Sequence, residues 1–101
     1  MMIMVNDKPW YLKDSKIAEA FDNFRSVSNG KSALDEKTKE LINFAVASVF
    51  RCPHCTNGHL KKALAVGATK EEITEALLLS SLQAGMTQLN WNKESFEKYL
   101  G

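Results

Sequence analysis

Two thiols, two imidazoles and one carboxylate fall in a pattern that can carry out redox chemistry. The run is Cys52-Pro53-His54-Cys55-Thr56-Asn57-Gly58-His59, and Glu40 lies upstream of it. Two cysteines separated by two residues can close into a disulfide and reopen. His59 stands four residues past Cys55, so on a helix the imidazole shares a face with that thiol and can take its proton. A carboxylate that hydrogen-bonds the imidazole, directly or through a water, would fix its tautomer and make it a better base.

The elements that must position these groups are readable from apolar spacing and end signals. A first helix is expected from Asp14 or Ser15, carrying Ile17, Ala18, Phe21, Phe24 and Val27 and ending at Gly30. A second follows Asp35, an N-cap candidate, and runs from Lys37 to about Val49. Its apolar side is Leu41, Ile42, Ala45, Val46 and Val49, widened by Phe44 and Ala47, which predicts a largely buried helix. The third begins at the cysteines, because Pro53 suits a first turn where its missing N–H has no partner to lose. It stops at Gly67. Thr69-Lys70-Glu71-Glu72 matches a capping box for a fourth helix, Lys70 to about Met86, and a short fifth is expected over Lys93 to Leu100. Trp10-Tyr11-Leu12 reads as an apolar anchor for the N-terminal segment. No β-branched run with period two is present, so the expected fold is all-α with about five helices.

This arrangement bears directly on the thiols. Cys52 falls at the N-cap or first turn of the third helix, where unpaired N–H groups and the helix dipole favour a thiolate. If the chain reverses near Val49 and Phe50, residues equidistant from that point face each other, and Glu40 and His59 are such a pair. Helix position favours Cys52 as nucleophile, whereas the base favours Cys55. We take Cys55 for attack on a peroxide and Cys52 for resolving the sulfenic acid; for reduction of the disulfide either sulfur can be struck first. His54 is a second proton donor candidate, although on a helix its side chain points away from Cys55.

Composition bounds the alternatives. The 101 residues make one domain, 1–101, with 45% hydrophobic and 25% charged residues, ordinary for a globular protein. A chain of this length buries only about 65% of its unfolded surface. A net charge of +1, with lysines interleaved among glutamates, gives no sign of a nucleic-acid partner. No membrane-spanning segment is present, and Met1–Val5 is too short and lacks the basic flank of a signal peptide, which predicts a cytoplasmic protein. In a reducing compartment two cysteines are redox-active or metal-binding more often than a permanent staple. Zinc would find three ligands with His54 or His59, but a structural site takes four; no metal or cofactor is expected. The run Ala76-Leu77-Leu78-Leu79 covers the whole circumference of the fourth helix, more apolar surface than a small domain can bury alone. A second copy of the chain is the economical cover, with a central core helix in a monomer as the alternative.

The stretch Lys39–Ala47, then Cys52-Pro53-His54-Cys55 and His59, then Ala63 and Gly67 through Ala76, resembles the alkylhydroperoxidase AhpD-like branch of the carboxymuconolactone decarboxylase family. The pattern Glu-x11-Cys-x2-Cys-x3-His is specific, and Glu40, Cys52, Cys55 and His59 fill it. The resemblance implies an all-helical fold assembled as a homo-oligomer, a dimer, trimer or hexamer. It also implies a thiol-dependent peroxidase acting on hydroperoxides, with Cys55 attacking, Cys52 resolving, a Glu40–His59 proton relay, and His54 matching a histidine often found between the cysteines. Electrons would come from dihydrolipoamide or a thioredoxin-like donor, with no haem, flavin or metal. The alternatives are a disulfide reductase without a peroxide substrate and a non-catalytic oligomeric scaffold. Lactone decarboxylation is disfavoured, because the decarboxylases lack this cysteine pair.

Overall fold

A computed structural model describes Trp10 and residues 15–101, and divides the chain into two compact units, residues 1–32 and 33–101. The described residues form five helices and no strand: α1 (Lys16–Asn29), α2 (Glu36–Val49), α3 (Pro53–Ala65), α4 (Lys70–Trp91) and α5 (Lys93–Leu100). The fold is all-α, as the sequence predicts. Of the apolar anchor Trp10-Tyr11-Leu12, Tyr11 and Leu12 lie outside the described residues, as do Met1–Val5.

In the first unit, α1 begins at Ser15, whose hydroxyl accepts the Ala18 N–H at 3.0 Å, and ends at Gly30. The Phe21 and Phe24 rings sit on one side with centroids 6.4 Å apart.

The second unit holds the thiols. The Asp35 carboxylate caps α2 by accepting the Thr38 N–H at 2.7 Å. Thr69 and Glu72 form the reciprocal capping box of α4: the Glu72 N–H donates to the Thr69 hydroxyl at 3.1 Å, and the Thr69 N–H donates to the Glu72 carboxylate at 2.9 Å. Gly67 takes a φ of 93°, the left-handed conformation that ends α3 and that a side chain would resist. α2 is central, packing against both α3 and α4, and α5 follows α4 after Asn92 with all of its residues exposed. Lys37 reaches across from α2 to Glu72 on α4, at 2.9 Å. Glu72 thus closes its own helix cap and joins two helices.

Which side of α2 is buried differs from the expectation. Glu40, Phe44 and Ala47 are buried, at the i, i+4, i+7 spacing of a single stripe. Ile42, Val46 and Val49, on the opposite side, are each more than two-fifths exposed. α2 is apolar on two sides, and the helices it meets cover only one. Ala63 and Ala68 complete the set of buried residues among those described, and no large side chain is fully enclosed. α4 runs five residues beyond Met86 and has no buried residue; Leu78, Leu79, Leu82 and Leu89 are all more than half exposed. No described helix is long and apolar enough to cross a membrane.

Candidate active site

The α2–α3 hairpin brings the sequence-selected residues together. The connection is short: α2 ends at Val49, Phe50 and Arg51 make the turn, and Cys52 caps α3. Arg51 takes a φ of 59°, a left-handed conformation uncommon outside glycine and asparagine. The Cys52 N–H then bonds back to the Ala47 carbonyl at 3.1 Å, which pins the start of α3 against the end of α2. Sequence reasoning missed Arg51, because the turn carries no glycine or asparagine to announce a positive φ.

Cys52 is the N-cap of α3, with extended backbone (φ −100°, ψ 98°) and Pro53 directly after it. Its sulfur occupies the place of a capping oxygen: the Cys55 N–H donates to Cys52 Sγ at 3.2 Å. No acidic residue occupies the first turn of α3. Cys52 and Cys55 are joined by a disulfide with their Cα atoms 5.3 Å apart, and both residues are half-buried. A dithiol restricted to one turn in this way can reopen and reclose with little backbone movement.

One turn further along α3, His59 Nδ1 lies 2.7 Å from Glu40 Oε1. Glu40 is only 7% exposed, the one charged residue among the buried set. A carboxylate that is ionised accepts only, and with such a partner Nδ1 would carry the proton of the pair. That leaves Nε2 as the ring nitrogen free to accept a proton from a neighbouring thiol or water. The symmetry of the hairpin about its turn, the basis on which Glu40 and His59 were matched, is realised in this contact. His54, at the second position of α3, is exposed and takes no part in the hydrogen bonds of the site. Among the described residues no cluster of three or more His, Cys, Asp or Glu side chains is arranged to hold a metal ion.

The site therefore contains a disulfide-bonded cysteine pair whose first sulfur sits at a helix start. One turn away is an imidazole held at Nδ1 by a buried carboxylate. Such a set can move two electrons and the accompanying protons.

The chain is similar to several known proteins. An uncharacterized protein in the cox locus of Paracoccus denitrificans is 41% identical over 80 residues, covering 78% of this chain and 72% of that protein. Alkyl hydroperoxide reductase AhpD of Mycobacteroides abscessus is 34% identical over 59 residues, covering 58% of this chain. The matched part is 34% of that protein's length, so the chain corresponds to about a third of AhpD. A crystal structure of a Methanobacterium thermoautotrophicum protein superposes with a TM-score of 0.74 at 33% identity, covering 80% of this chain and 91% of the other. A Thermotoga maritima structure follows with a TM-score of 0.66 at 30% identity, covering 82% and 75%. The family model of the carboxymuconolactone decarboxylase family matches residues 15–93, the greater part of the sequence, and the chain belongs to that family.

Proposed function

We propose that the chain is a thiol-dependent peroxidase of the alkylhydroperoxidase type, reducing hydroperoxides through a Cys52–Cys55 dithiol/disulfide cycle. The observation that carries this reading is the 2.7 Å Glu40–His59 contact one turn from a disulfide-bonded Cys-x-x-Cys at a helix start. Similarity to AhpD over that protein's matched third supports it further.

His59 Nε2 takes the Cys55 proton, and Glu40 balances the imidazolium that forms. The Cys55 thiolate attacks one peroxide oxygen. The O–O bond breaks, and the alkoxide leaves with the proton held by His59, giving an alcohol and the Cys55 sulfenic acid. Cys52, as thiolate, then attacks Cys55 Sγ and expels hydroxide, which is protonated to water as the disulfide closes. A donor dithiol, dihydrolipoamide or a thioredoxin-like protein, returns two electrons and two protons. The exposed apolar surface of α4 supports a homo-oligomer, trimer or hexamer, as the working form. We place the reaction in the cytoplasm, where reducing conditions would keep the dithiol supplied with electrons.

The test is peroxide consumption by purified protein supplied with a dithiol. Wild type is expected to turn over and Cys55→Ser to show no turnover above background, because the attacking thiolate is gone. Full turnover by Cys55→Ser would refute the assignment. A second reading, a disulfide reductase without a peroxide substrate, is favoured by one observation: the chain matches only a third of AhpD. Reversible dithiol oxidation at a potential near about −270 mV with no peroxide consumed would select it.

A further inference from the structure

The reductive half of the cycle leaves a choice of sulfur, and the helix start decides it. In the disulfide, Cys52 Sγ already accepts the Cys55 N–H at 3.2 Å and stands at the N-cap of α3. Negative charge that develops there meets the unpaired N–H groups of the first turn and the positive end of the helix dipole. Arg51 immediately precedes it, and no carboxylate lies in the first turn to oppose it. Cys55 is the third residue of α3 and has no such cap; its neighbour on the same face is His59, held by Glu40. Exposure does not discriminate, since both cysteines are half-buried. In thiol–disulfide exchange the sulfur with the more stable thiolate leaves faster.

We propose that the electron donor strikes Cys55 and that Cys52 leaves as the thiolate, an assignment that rests on the dithiol cycle proposed above. The donor thiolate forms a bond to Cys55 Sγ, the Cys52–Cys55 bond breaks, and its electron pair goes to Cys52. The donor's second thiolate then attacks its own sulfur in the mixed disulfide, the donor closes into a disulfide, and Cys55 is released as a thiolate facing His59. Two electrons have passed from the donor dithiol to the protein disulfide. Cys52 thereby serves both halves of the cycle from one position. It is the resolving nucleophile when the disulfide forms and the leaving group when it is broken, in each case charged at the helix start.

The experiment uses the oxidised full chain and glutathione as the probe. Brief reaction with glutathione, an acid quench, alkylation with N-ethylmaleimide and peptide mass analysis locate the two labels. Glutathione on Cys55 with maleimide on Cys52 is expected, in excess over the reverse by about 5-fold or more. Equal labelling, or glutathione mainly on Cys52, would overturn the proposal. If the mixed disulfide recloses before it is trapped, the rate of iodoacetamide alkylation of each thiol in the reduced chain, followed against pH, decides instead. Cys52 must reach half its maximal rate at a lower pH than Cys55, and the opposite order overturns the proposal. Peroxide enters neither measurement, so a chain without peroxidase activity can still pass. A disulfide that dithiothreitol does not open would instead refute the dithiol cycle itself.

Discussion

Replacing Glu40 by glutamine separates what this residue does for the fold from what it does for the reaction. Glu40 is 7% exposed, and its carboxylate meets His59 Nδ1 at 2.7 Å. A glutamine carbonyl can still accept from Nδ1, so the ring orientation and tautomer survive. What is lost is the negative charge opposite an imidazolium. A hydrogen bond to a charged group contributes about 1.5–3 kcal/mol and a neutral one about 0.5–1.5 kcal/mol, so the loss is about 1–2 kcal/mol. If the imidazolium forms on the way to Cys55 thiolate attack, that loss appears in the barrier as a roughly 5–30-fold slower reaction. The fold should respond the other way. Enclosing a carboxylate carries a desolvation penalty that a neutral amide of the same shape does not, so the variant is expected to be as stable as wild type or more so. The assay pairs initial rates of peroxide consumption under saturating dithiol with thermal unfolding of the same preparation. Wild-type rates in a fully folded Glu40→Gln would refute the relay. A slow variant that is also unfolded would mean that Glu40 is structural.

Three further outcomes follow from the geometry. Glu72 is held below its ordinary value of 4.5 by its hydrogen bond from Lys37 and by the Thr69 N–H, and Lys37 is held above 10.5 by the same hydrogen bond and by the Glu72 charge. The Glu72 contribution is therefore present above pH 4.5 and lost as pH falls through the depressed folded value; the Lys37 contribution is present below pH 10.5 and lost as pH rises through the raised one. Unfolding curves against pH should show both losses in wild type and a smaller dependence in Lys37→Met. Leu78→Glu, on an exposed position of α4, should keep the helical circular dichroism while light scattering reports a drop to the monomer mass; an unchanged mass in the variant, or a monomeric wild type, would remove α4 as the subunit contact. Arg51→Gly relieves a φ of 59°, and denaturant unfolding should show a gain of about 0.5–1 kcal/mol, the left-handed penalty of ~1–2 kcal/mol less the backbone entropy of glycine.

The helix ends were legible because their causes are local. Ser15, Asp35 and Thr69 each cap within three residues, Gly67 ends α3 in the left-handed region, and α1 ends at Gly30 in extended backbone. The Glu40–His59 contact was legible because a short turn between two helices leaves little freedom in register. The buried side of α2 was not. Leu41, Ile42, Val46 and Val49 are as apolar as Phe44 and Ala47, and only the partner helices decide which stripe is covered. The end of α4 was also hidden, since Thr87-Gln88-Leu89-Asn90 contains no glycine or proline to stop a helix that continues to Trp91. Cys52 could be placed at a helix start from Pro53, but that its sulfur accepts the Cys55 N–H depends on its side-chain rotamer, which spacing does not specify.

The placement of Glu40 links these observations. It lies on the same stripe as Phe44 and Ala47, in a set of buried residues whose other members, among those described, are Phe44 and three alanines. A core whose one large buried side chain, among the described residues, is Phe44 gains little from apolar burial, and one position of its central helix is given to a carboxylate that costs energy to enclose. An aliphatic residue there would pack as well without the penalty. Stability alone does not account for Glu40; the proton relay proposed for it with His59 would. The apolar surface that would offset the cost is plentiful on this chain but lies outside, along Ile42, Val46 and Val49 of α2 and along α4. Covering those surfaces with further copies of the chain would add the missing burial without touching the Glu40–His59 contact. On this argument the separated subunit should be markedly less stable than the assembly, and dilution should lower the unfolding midpoint. A midpoint independent of protein concentration would break the link between the costly site and the exposed helix faces.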